Sequence, residues 1–250
     1  MIVESLADSF DPAEANVYEE LMRAWIPSPA PSSVPSVPER VETIYVLSRV
    51  TLGADIKIVS PILAAMRTRF PLARIVFVGG RKSVELFAWE KKAEFLEAEY
   101  PRSGSMADRI AFASQLRQWL ATPNSIVIDP DSRMTQLGLI PAAEPGRYFH
   151  FPSRTAGGPT GENDAANLTE LLSSWLNRIF ALNGNAWIAP APVAIEGERP
   201  LAALSLGVGE NESKRLGLAF EAQMIAAIAQ RFQTLYIDRG MGGEEARRVT

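Results

Sequence analysis

The chain has 250 residues, 47% hydrophobic and 22% charged, with a formal net charge of −4; this is a globular composition, large enough for one big domain or two small ones, and it excludes a disordered or fibrous chain. It holds no cysteine and a single histidine, His150, which excludes disulfides, thiolate nucleophiles and Cys-ligated zinc and leaves no material for a multi-histidine metal site or a Ser-His-Asp triad. The acidic balance speaks against nucleic acid as a partner, and no run reaches the ~18 apolar residues that would span a bilayer.

The N-terminus, MIVESLADSF, lacks a basic stretch and a continuous apolar core, so no signal peptide is expected. Residues 1–40 carry seven acids and two bases, a net of −5, which leaves the rest of the chain at +1. Within this arm DPAEANVYEELMRAW predicts a short helix. Asp11 can cap it, Pro12 suits its first turn, and Val17, Leu21 and Trp25 form an apolar stripe. IPSPAPSSVPSVP follows, with five prolines between 27 and 38, and reads as an extended linker. The arm either docks on a neighbouring surface or trails as a tail.

From residue 41 strands and helices alternate. TIYVLSR (43–49) reads as a buried strand, and Val59, Ile62, Leu63, Met66 and Phe70 recur at helical spacing. ARIVFVG (73–79) is a second strand, so the three elements make a βαβ unit with parallel strands. RKSVELFAW starts another helix and EFLEAEY a third strand. DRIAFASQLRQWL (108–120) is a helix with Ile110, Ser114, Leu116 and Leu120 near one face. SIVIDP and RYFHF are strands, and NLTELLSSWLNRIFAL (167–182) is a long amphipathic helix. The alternation predicts a doubly wound, Rossmann-like α/β domain over 41–195. After APAPVAIEGERP the pattern restarts. LAALSLGVG (201–209) runs into a glycine turn, Phe220, Met224, Ile225 and Ile228 mark a helix, and TLYID (234–238) is a strand. GMGGEEARRV opens a further turn and helix. The region 200–250 reads as an incomplete second βαβ unit, with too little core to stand alone.

Three stretches carry chemistry. In SRVTLGADIKIVSP, Gly53 allows a tight turn, and Asp55 lies just beyond the first strand. That end of an open α/β sheet is where ligands bind, and a carboxylate there can take a proton from a substrate hydroxyl. Ser60-Pro61 is itself a good N-cap and first-turn pair, so the helix starts either there, leaving Asp55 in a loop, or near 56. In SLGVGENESKRLGLAFE, Gly207 and Gly209 precede Lys214 and Arg215, a plausible anion site though not a Walker motif; the alternative is a solvated basic loop. In SIVIDPDSRMTQLG, Asp129 and Asp131 form a D-x-D that either clamps a divalent metal or closes a proline turn. His150, in RYFHF, reads as a packed strand residue.

RVTLGADIKIVSPILAAMRTRFPLARIVFVG resembles the opening of the heptosyltransferases, glycosyltransferase family 9: an apolar strand, a basic residue, Asp55 six residues before Pro61, then Phe70-Pro71 and Ala73. SLGVGENESKRL and IDPDSRMTQLGLIP resemble further stretches of that family, and the resemblance covers roughly 41–250. Ala54 stands where the family usually has glycine, Leu216 stands where it has an aromatic residue, and the family's later glycine-rich and histidine-containing motifs do not occur.

The resemblance implies a GT-B architecture and an inverting transfer of a heptose-like sugar from a nucleotide diphosphate sugar, ADP-heptose or a relative, to a glycan or lipid-linked acceptor of the lipopolysaccharide type. It implies no bound metal and no cofactor beyond the donor substrate. Asp55 falls in the role of general base. Arg49 and Gly53 fall on the acceptor side, Arg49 holding an acceptor phosphate or steadying Asp55. Lys214, Gly207 and Gly209 fall at the donor diphosphate. The implied location is the cytoplasm, at the inner face of the membrane where the acceptor is lipid-linked. Two alternatives stand beside this reading: a non-catalytic remnant that binds a glycan or a partner, and a metal-dependent transferase using Asp129 and Asp131.

Overall fold

Thr43, Ile44, Tyr45, Val46 and Leu47 are all buried, which requires cover on both faces of the strand they form. That strand, β1 (Thr43–Leu47), is central in a five-stranded sheet of the computed structural model, which describes residues 6–7, 11–26, 36–88, 93–156, 166–184, 201–207, 215–238 and 247. The other strands are β2 (Arg74–Gly79), β3 (Ala93–Glu97), β4 (Ser125–Asp129) and β5 (Tyr148–His150), in the order β3-β2-β1-β4-β5 and parallel throughout. Side chains of a strand alternate between faces. Ile44 and Val46 pack with Ile126, Ile128 and Phe77 against Ile62, Leu63, Met66, Leu172 and Trp175. Tyr45 and Leu47 pack with Val76, Val78 and Val127 against Leu116 and Leu120 on the opposite face. The doubly wound sheet expected from the sequence is therefore present.

The chain leaves β1 toward β2 and β3, then returns across the sheet to β4 on the other side of β1. The gap between the carboxyl ends of β1 and β4 is thus the switch point, where connections diverge and leave a crevice.

The helix after β1 begins earlier than either boundary read from the sequence. It opens as α2 (Leu52–Ala54), passes through a π-helical turn at Asp55–Val59 and continues as α3 (Ser60–Arg69). The N–H of Ser60 bonds the carbonyl of Asp55. Pro61 has no N–H for the carbonyl of Lys57, and its ring would crowd it, so the widened turn accommodates the proline. Ser60 is inside the helix and not its cap. Gly53 lies within α2, where an added Cβ would meet no atom within 4 Å; the left-handed residue of this turn is Val50, at φ 70°.

Beyond β2 come α4 (Arg81–Leu86) and α5 (Met106–Trp119). Ser105 caps α5 in a reciprocal box with Asp108, and α5 buries Arg109, Ala113 and Leu116 instead of the Ile110–Ser114 line. After β5, α6 (Leu168–Phe180) is capped the same way by Asn167 and Glu170 and buries Leu172, Trp175, Leu176 and Phe180.

The arm helix, α1 (Pro12–Arg23), is capped by Asp11, whose carboxylate accepts from the N–H groups of Ala13 and Glu14. It docks, but through the neighbouring face: Tyr18 and Met22 are buried with Leu137, while Val17, Leu21 and Trp25 are exposed. Both stripes recur at helical spacing, and the surface that receives the helix selects between them.

The chain divides into two compact units, Met1–Ala191 and Pro192–Thr250. In the second, β6 (Leu201–Ser205), α7 (Leu218–Ala229) and β7 (Thr234–Asp238) form a parallel βαβ unit. None of its described apolar residues is buried; Phe220 and Tyr236 are more than half exposed. With so little surface removed from water, its opening costs far less free energy than global unfolding. Hydrogen exchange followed by mass spectrometry is expected to show β6, α7 and β7 exchanging well before β1 and β4. Equal protection in both units would contradict this. Among the described residues no helix is long and apolar enough to cross a membrane.

Candidate active site

Asp55 occupies the first position of the π-turn, beside the switch point, with none of its surface exposed. Its Oδ1 accepts the backbone N–H of Arg49 at 2.8 Å and its Oδ2 accepts the Ser48 hydroxyl at 2.7 Å. Burial raises its pKa from the ordinary 3.8 to about 6, against the opposing pull of Ser48, the Arg49 N–H, Ser83 and the Arg49 charge. Desolvation dominates because a carboxylate out of water loses more than two or three hydrogen bonds return.

The loop holding this carboxylate is fixed on all sides. Val50 donates its N–H to Ser48 Oγ at 2.8 Å, and its carbonyl accepts from Arg102 Nη2 at 2.9 Å. Those contacts sustain a left-handed β-branched residue, a conformation that costs about 1–3 kcal/mol and concentrates at functional sites. Gly79 makes room for Ser48: a Cβ there would lie 2.9 Å from Ser48 Cβ and 3.0 Å from the Phe77 ring. Gly79→Ala is therefore expected to push Ser48 off Asp55 and destabilise the fold by about 1–3 kcal/mol, the usual cost of overpacking. A denaturant midpoint unchanged from the parent would count against this account of Gly79.

Across the switch point, the loop after β4 is built on Asp129. Its Oδ1 accepts the Ser132 N–H at 2.6 Å, and its Oδ2 accepts the hydroxyls of Thr135 and Tyr148. Burial raises its pKa, opposed by the His150 charge and by these donors. Gln136 and Leu137 are left-handed, as is Gly138 at φ 83°, where any side chain would strike the His150 ring. Ser132 Oγ donates to the Ser48 carbonyl and so ties the two loops together.

Asp131 gathers the cations. His150 Nε2 lies 3.3 Å from its Oδ1; Arg154 Nε at 3.3 Å and Ser153 Oγ at 2.9 Å donate to Oδ2. Burial works to raise the pKa of Asp131, but His150, Arg154 and Arg49 outweigh it and hold the carboxyl at about 2. Burial likewise works to lower the pKa of His150, and the Asp131 hydrogen bond with the charges of Asp129 and Asp131 turns the net shift upward. Burial lowers the pKa of Arg49, and the nearby carboxylates of Asp131, Asp129 and Asp55 oppose this. Both aspartates of the D-x-D are thus committed to protein donors. Asp129 holds its own loop, and Asp131 holds residues that follow β5 in the chain or end it.

The structure brings Arg49 and Asp55 together and joins Asp131 to His150 and to Arg154, the member of the cluster that sequence reasoning did not name. Gly53 stands one turn from them on open surface. Gly207 is exposed just beyond β6, in the other unit. Gly209 and Lys214 lie outside the described residues. His150 is the packed strand residue read from the sequence, ending β5 with its ring stacked on Tyr148 and 27% of its side chain exposed, and it also meets Asp131.

An all-parallel 3-2-1-4-5 sheet with a polar cluster at its switch point defines a Rossmann-like α/β protein, the fold of the GT-B glycosyltransferases. No protein-family model matches the sequence, and no curated protein matches it. Among solved structures the chain is similar to E. coli heptosyltransferase WaaC with ADP-2-deoxy-2-fluoro heptose, with TM-score 0.56 and 13% identity over 82% of this chain and 71% of that one. It is similar also to the same enzyme with ADP, with TM-score 0.56 and 14% identity over 82% and 70% of the two chains. At these identities the likeness is one of fold.

Proposed function

We propose that the protein is an inverting glycosyltransferase that moves a heptose-type sugar from a nucleotide diphosphate sugar to a glycan or lipid-linked acceptor of the lipopolysaccharide type. The observation that carries the proposal is Asp55: a carboxylate at the switch point of a GT-B-type sheet, with a pKa raised by burial to about 6. Such a group is ionised at pH 7 to 8 yet more basic than an ordinary aspartate, which suits it to deprotonate an alcohol. The fold likeness to an enzyme solved with an ADP-heptose analogue supports the donor class.

In the proposed step the acceptor O–H gives its proton to Asp55 as its oxygen bonds the anomeric carbon. The bond from that carbon to the diphosphate oxygen breaks, and the nucleoside diphosphate leaves with the electron pair. Arg49 steadies Asp55 through its backbone N–H and its charge. No divalent metal enters the step. Asp55 is wholly buried in the free protein, so acceptor binding must open a path to it.

The same burial favours a second reading. A carboxylate with both oxygens held by Ser48 and Arg49 also serves as a loop brace, and the unit is then a non-catalytic glycan- or partner-binding domain. Transfer assays with ADP-heptose and a heptose-deficient core acceptor, with and without EDTA, separate these readings. Glycosylated acceptor in both arms is expected. No product with any nucleotide sugar would leave the binding domain, and product lost in EDTA and restored by manganese would return the D-x-D to a metal.

A further inference from the structure

Arg154 is the least satisfied cation of the site. Its Nε is on Asp131 at 3.3 Å, but Nη1 is buried and makes no hydrogen bond. Its guanidinium carbon lies over the Tyr18 ring of α1, 5.3 Å from the ring centre. Tyr18 is 2% exposed, and its hydroxyl donates to Gln136 Oε1 at 3.3 Å, in the strained loop after β4. His150 shares Asp131 with Arg154 and keeps part of its ring open to solvent. An aromatic face attracts a guanidinium, but an oxyanion does so more strongly, through charge-assisted and often bidentate hydrogen bonds. The element in the way is itself acidic: between 11 and 26 it carries Asp11, Glu14, Glu19 and Glu20 against Arg23 alone.

We propose that α1 is a built-in cover over an anion-binding position formed by Arg154 and His150 on Asp131, and that a phosphate or sugar carboxylate binds there when Tyr18 swings away. The arm is suited to leave. It rests on an apolar patch of its own, apart from the two main cores, in which Tyr18, Met22, Ala7 and Leu137 are buried and Leu6, Ile26, Met106 and Leu139 partly so, and the proline-rich stretch behind it keeps it tied to the chain. Cover and anion exclude each other, so the affinity seen by an anion is the intrinsic affinity reduced by the fraction of molecules with the arm lifted. The position does not depend on glycosyl transfer, because it is read by binding alone.

The test titrates the full chain, and its Tyr18→Ala and Tyr18→Ala/Arg154→Gln variants, with inorganic phosphate and, separately, with gluconate, by calorimetry. Tyr18→Ala is expected to bind at least one of the two about tenfold more tightly than the parent, and the anion that gains identifies the source. Arg154→Gln in that background is expected to abolish the gain. Parent-like affinity for both anions in a folded Tyr18→Ala protein, or a gain that survives Arg154→Gln, would overturn the proposal. Should the variants not fold, hydrogen exchange of the parent decides: saturating anion is expected to speed exchange across residues 12–23, and unchanged or slower exchange there would overturn it equally.

Discussion

Asp55→Asn is expected to lower turnover by ~10²-fold or more, the scale of losing a general base, while making the protein relatively more stable at alkaline pH. The folded-state pKa of about 6 lies above the ordinary 3.8. Well below pH 3.8 the carboxyl is neutral in both folded and unfolded states. Between 3.8 and about 6 the unfolded state ionises while the folded state resists, and stability falls by up to about 3 kcal/mol by the time pH has risen through 6. Asparagine removes that titration. The stability difference between variant and parent should therefore move toward the variant between pH 4 and pH 8, whatever constant cost the amide carries. Denaturant curves at the two pH values read this directly. The pH-dependent stability follows from burial whether Asp55 is a base or a loop brace; the loss of turnover is what separates the two.

Asp131→Ala is expected to cost about 3–5 kcal/mol, because it leaves Arg154 and His150 in a buried place without the carboxylate they share. The pH dependence has a definite sign. Asp131 is held at about 2, below the ordinary value, so its contribution is present above pH 4 and is lost as pH falls through 2. His150 is raised, so its contribution is present below its ordinary value of 6.5 and is lost as pH climbs through the folded pKa. As His150 is the sole histidine, a single imidazole resonance reports the pair. Its midpoint should drop in a folded Asp131→Asn variant, and an unmoved midpoint would mean the ion pair is not formed.

The sheet was legible because its strands are fully buried: TIYVL and SIVID are apolar runs that suit no other place in an α/β domain. Asp55 was legible because strand end, aspartate and proline are consecutive in the chain. Other features were not. The π-turn depends on how Pro61 meets the carbonyl of Lys57, which no periodicity encodes. The two stripes of α1 are offset by one residue, Val17-Leu21-Trp25 against Tyr18-Met22, and hydrophobicity favoured the one that faces water. The receiving surface, around Leu137, exists only after three residues from Gln136 to Gly138 take left-handed backbone. The cluster on Asp131 joins residues 19 and 23 positions apart. Its one sequence signal was an aspartate just past a strand followed by Ser132 and Thr135, a pattern of loop-building that also marks where charges will be buried.

The central claim is that Asp55 is the base of a sugar transfer from a nucleotide diphosphate donor. Its most direct test is the initial rate of acceptor glycosylation from pH 5 to 8, in the full-length protein and in Asp55→Asn. The parent rate should rise with pH through an apparent pKa of about 6, and the variant should lie ~10²-fold or more below it at pH 8. A variant that transfers sugar within a few fold of the parent across that range would contradict the account.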